Sequence, residues 1–126
     1  MRVIVVDYER ENCLAEFLKI KDRNNGRVFE EISATSFSDL QGDFEKIESG
    51  NYEAVVLRIT PVIEETAQFW EKMKEKIGQR RIIVVTDCPQ FQEALFLENR
   101  KEGDFFVFGE PIEDINEFFE TVAGGH

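Results

Sequence analysis

Histidine, cysteine and proline are scarce in this chain: of 126 residues, one is histidine, two are cysteine and three are proline. The lone histidine, His126, is the last residue and a poor catalytic candidate. Cys13 and Cys88 form no CxxC or other metal spacing. Cys13 reads as core filling on a helix, and Cys88 as a reduced thiol just after a strand, as expected in a cytoplasm. Long apolar runs are also missing. The longest are short strands such as Ile82 to Val85, far below the ~18–20 residues of a membrane span. No secretory signal is expected before the first strand, so the expectation is a cytoplasmic domain without membrane contact. Basic residues are outnumbered, 15 against 26 acidic, for a net charge of −11. Such a chain repels phosphate backbones, and direct nucleic-acid contact is not expected. There is neither a GxGxxG nor a P-loop, and no cofactor is expected.

What remains is a chain with 42% hydrophobic residues, enough for one sizeable core. Five strand-like runs alternate with five helix-like runs. The strands are expected near Arg2–Val6, Arg27–Ile32, Tyr52–Ile59, Arg81–Thr86 and Asp104–Phe108. The first helix starts near Glu9 and should bury Cys13, Leu14, Phe17 and Leu18. The second places Phe37, Leu40, Phe44 and Ile47 on one stripe, with Ser36 as N-cap and Gly50 as stop. The third carries Ile63, Ala67, Trp70, Met73 and Ile77. The fourth carries Phe91, Ala94 and Leu95. The fifth follows Pro111 and uses Ile112, Ile115, Phe119 and Val122. One domain over residues 1–122 follows, with 123–126 ("AGGH") as a linker or appended tail.

Strict βα alternation predicts parallel strands joined by right-handed crossovers. The expected fold is α/β, a (βα)5 doubly wound, flavodoxin-like sheet of order 2-1-3-4-5. Ligands of such sheets gather at the carboxyl ends of the strands. Those ends contribute Asp7, Arg58, Thr86 and Glu110. The stretch "EAVVLRITP" is therefore unusual: a buried central strand delivers an arginine, Arg58, to the crevice.

Four motifs carry a resemblance. "VIVVDYE", "AVVLRITP", "IIVVTD" and "FVFGEPI" resemble, in order, the first, third, fourth and fifth strands of response-regulator receiver (CheY-like) domains. The similarity runs over residues 1–122. The family's site needs an acidic pair, a phosphoacceptor aspartate, a hydroxyl residue and a lysine followed by proline. Here Asp7 keeps the first acid and Tyr8 takes the second. Arg58 stands at the phosphoacceptor, Thr86 keeps the hydroxyl position and Asp87 follows it. Glu110 replaces the lysine ahead of Pro111. Magnesium needs several hard oxygen ligands, and a guanidinium is permanently charged and no nucleophile. The resemblance thus implies a degenerate pseudo-receiver in which a base on the third strand and an acid on the fifth reverse the family's charge order. Arg58 is expected to point inward and bridge some of Asp7, Asp87 and Glu110.

The implied function is a phosphorylation-independent regulatory module, without enzymatic activity, expected as the N-terminal regulatory domain of a larger bacterial signalling or transcription-regulatory protein. Two alternatives stay open: a receiver phosphorylated at another acid such as Asp7, and a small-ligand sensor using the crevice. Phenylalanine is abundant, twelve in all, and seven fall in the last 36 residues. In receivers the fourth helix, fifth strand and fifth helix form the usual dimer and output face. Phe96, Leu97, Phe106, Val107, Phe108 and Phe118 are expected to supply an apolar patch there, for a homodimer or another protein partner. Simpler readings hold elsewhere. Glu9, Glu11 and Glu16 form a solvated helix face. Lys72, Lys74, Lys76, Arg80 and Arg81 form a local basic cluster. "KDRNNGR" is a turn.

Overall fold

In the computed structural model the described residues are 1–7, 13–25, 31–36, 40–58, 80–88 and 105–124. They form five strands and three helices: β1 (Arg2–Asp7), α1 (Cys13–Asn25), β2 (Glu31–Ser36), α2 (Leu40–Ser49), β3 (Ala54–Arg58), β4 (Arg81–Thr86), β5 (Phe105–Gly109) and α3 (Ile115–Ala123). The expected third and fourth helices, with Phe96 and Leu97, lie outside the described residues.

All strand pairs are parallel and the sheet order is β2-β1-β3-β4-β5. The three central strands read Val3–Val6, Ala54–Leu57 and Ile82–Val85, and all of these residues are buried. Continuous apolar sequence is what a strand covered on both faces requires. Alternation then divides the core in two. Val3, Val5, Ala54, Val56, Ile83 and Val85 face α1 and α3, where Leu14, Leu18, Phe118, Phe119 and Val122 close over them. Ile4, Val6, Val55, Leu57, Ile82 and Val84 face the other way, toward Ile47 of α2 and Tyr52.

Helix α3 has clear signals at both ends. Asp114 is extended (φ −112°, ψ 94°), and its carboxylate accepts a hydrogen bond from the Glu117 N–H at 3.0 Å. With Glu117 three residues on, the segment follows the capping-box pattern. Gly124 ends the helix with φ 85°, its N–H reaching the carbonyls of Glu120 and Thr121. A side chain there would also meet the Arg81 guanidinium, within 2.8–3.0 Å. Arg81 donates to the Val122 carbonyl at 3.3 Å, tying the start of β4 to the end of α3. Gly50, just after α2, is required for another reason: a Cβ there would clash with the Tyr52 ring.

Several expectations need correction. β2 runs on to Ser36, past the expected end at Ile32, and Ser36, expected as the cap of α2, is its last residue; residues 27–30 and 37–39 of these expectations lie outside the described residues. Phe17 is 38% exposed. The buried stripe of α1 is Leu14, Ala15, Leu18 and Asp22. Phe118 was expected on the output face but is fully buried. Ile115, Phe118, Phe119 and Val122 fall at i, i+3, i+4 and i+7, so Phe118 joins Phe119 on the inward stripe, edge-on to Phe108 with centroids 5.1 Å apart. Phe106, Val107 and Phe108 are half-buried and not an exposed patch. Among the described residues the exposed large hydrophobics are Phe17 and Ile20 (56%), both on α1.

Candidate functional site

The carboxyl ends of β1, β3, β4 and β5 form one edge of the sheet. Asp7 and Arg58 are register partners on adjacent strands, as are Arg58 and Val85, and Val85 and Phe108. Paired residues share a face, and Glu110, two residues past Phe108, shares their alternation. Asp7, Arg58 and Glu110 therefore emerge on the side of the sheet that carries α1 and α3. Thr86 belongs by alternation to the other side.

Arg58 joins the two acids. Its Nε donates to Glu110 Oε2 at 3.0 Å. One terminal nitrogen lies 3.3 and 3.4 Å from the two Asp7 carboxylate oxygens. β3 and β5 flank β4, so their backbones lie about 10 Å apart. Only a long side chain can cross that gap, and the guanidinium presents separate donors in a fixed fork, one for each acid. The exposures are graded. The Asp7 side chain is 1% exposed, Arg58 15% and Glu110 26%. The ion pair is thus anchored in the core at Asp7 and opens toward solvent at Glu110. Glu110 is also held by its backbone, whose N–H donates to the Thr86 carbonyl at 2.9 Å and extends the β4–β5 ladder by one bond. The Glu110–Pro111 peptide is cis.

The remaining expected site residues stand apart from this bridge. Thr86 is buried, and its hydroxyl oxygen accepts from the Cys88 N–H at 3.3 Å, which shapes the turn after β4. Asp87 is exposed and forms no ion pair among the described residues. Tyr8 lies outside the described residues. Among the described residues no three His, Cys, Asp or Glu side chains are grouped to hold a metal ion. Sequence reasoning missed a cleft of about 470 Å³ beside the bridge, between the ends of β4 and β5 and the start of α3. Glu110, Pro111 and Glu113 form part of its wall. Its carboxylates are spread over 31 residues of sequence, from Asp87 to Glu117, so no local motif announces it.

No protein-family model and no curated protein matches the chain. Solved structures do. The receiver domain of Francisella response regulator 1452 is 20% identical, with 97% of this chain and 93% of that one covered and a TM-score of 0.63. The response regulator TrrA from Thermotoga maritima, solved with magnesium and beryllofluoride, is 21% identical over 96% of this chain and 97% of that one, with a TM-score of 0.60. This chain has the receiver-domain fold. HP1043, an orphan response regulator of H. pylori, aligns with the same fold at 17% identity, covering 98% of this chain and 94% of that one, with a TM-score of 0.64. On the receiver fold, the bridge of Asp7, Arg58 and Glu110 occupies the edge where the sequence motifs placed the acid, acceptor and lysine positions. No described helix is long and apolar enough to cross a membrane.

Proposed function

We propose that this chain is a non-enzymatic signalling module on the receiver fold, a pseudo-receiver whose output does not depend on an aspartyl phosphate. The observation that carries the reading is the Arg58 bridge. A guanidinium hydrogen-bonded to Asp7 and Glu110 puts a fixed positive charge where a receiver would present its acceptor carboxylate. It cannot form an acyl phosphate, and it already neutralises the buried acid that would otherwise help to hold magnesium. The module acts through protein contact, as a homodimer or with another protein. The contact face includes β5, with Phe106 and Val107, and the segment carrying Phe96 and Leu97. The domain serves as the regulatory part of a larger bacterial signalling or transcription-regulatory protein, in a cytoplasmic setting.

Two experiments test this. Incubation with acetyl phosphate and magnesium, followed by intact-mass measurement, should leave the chain unmodified. A phosphoryl adduct that disappears in Asp7→Asn would overturn the reading in favour of a non-standard acceptor. Sedimentation velocity should show self-association that Phe96→Glu and Leu97→Glu abolish. A wild type that stays monomeric at high micromolar concentration would exclude the homodimer and leave a heterologous partner.

A further inference from the structure

We draw no further inference here: the strongest candidate, the surface patch of Phe17 and Ile20 on the outer face of α1, carries none, because nothing in the structure shows what covers it.

Discussion

Replacing Arg58 by methionine keeps the apolar stem and removes the guanidinium. The cost follows from the two contacts it breaks. Coulomb attraction between charges 3.3 Å apart is on the order of 5 kcal/mol at an effective dielectric of about 20. Desolvation of the nearly inaccessible Asp7 offsets much of this. The Asp7 contacts are also long for charge-assisted hydrogen bonds. The Asp7 share is about 1.5–2 kcal/mol, below the ~3–5 kcal/mol of a fully buried broken pair. Glu110 is a quarter exposed, so its share is about 0.5–1 kcal/mol. Arg58→Met should therefore destabilise the fold by about 2–3 kcal/mol, a Tm decrease of about 6–12 °C for a domain of this size. Urea and thermal denaturation followed by circular dichroism measure both quantities. A double-mutant cycle with Glu110→Gln should return a coupling of about 0.5–1 kcal/mol. Arg58→Asp should cost more than Arg58→Met, because it sets a third carboxylate beside the other two. An Arg58→Met variant within 0.5 kcal/mol of wild type, with no coupling to Glu110, would show that the bridge is energetically idle.

Other outcomes follow from single contacts. Asp114→Ala removes the cap of α3 and should cost about 1 kcal/mol in urea denaturation, with Asp114→Asn recovering most of it. Gly50→Ala drives a methyl group into the Tyr52 ring and should cost about 1–3 kcal/mol. An unchanged midpoint would mean the ring moves freely. At the opposite end of the sheet, the Ser33 hydroxyl and then Arg2 hold the Glu31 carboxyl below its ordinary value of 4.5. A depressed carboxyl contributes stability above its unfolded pKa and loses it as pH falls through the folded value. The effect is small because the group is solvent-exposed. Carboxyl NMR should show Glu31 titrating below 4.5, with Ser33→Ala raising the value.

The parts of the fold legible in the sequence are those where one physical demand dominates. Val3–Val6, Ala54–Leu57 and Ile82–Val85 had to be central strands, because nothing else buries so many consecutive branched side chains. The end of β2 was not legible because it is an edge strand. Its described sequence, "EISATS", carries no apolar run to mark where it ends. On α1, Leu14 and Leu18 are buried as expected and Phe17 is not. The helix's inward stripe includes Ala15 and Asp22, which hydrophobicity discounts, while Phe17 lies half outside. Phe118 was misassigned because an aromatic surplus does not reveal which ring points inward. Its spacing from Ile115, Phe119 and Val122 places it on the inward stripe. The Arg58 bridge was legible because a charge reversal on two strands of known order leaves few geometries. The cleft was not, because it forms only when the ends of two strands and a helix meet.

The central claim is that Arg58 closes the phosphate site. The most direct measurement is amide NMR of the chain titrated with magnesium and beryllofluoride, the phosphoryl mimic that TrrA carries in its solved structure. On the proposed reading the expected spectrum is unchanged, because the guanidinium already engages both Asp7 and Glu110. Saturable shifts clustered at Asp7, Arg58 and Thr86 would contradict the claim and return the chain to the phosphorylated receivers.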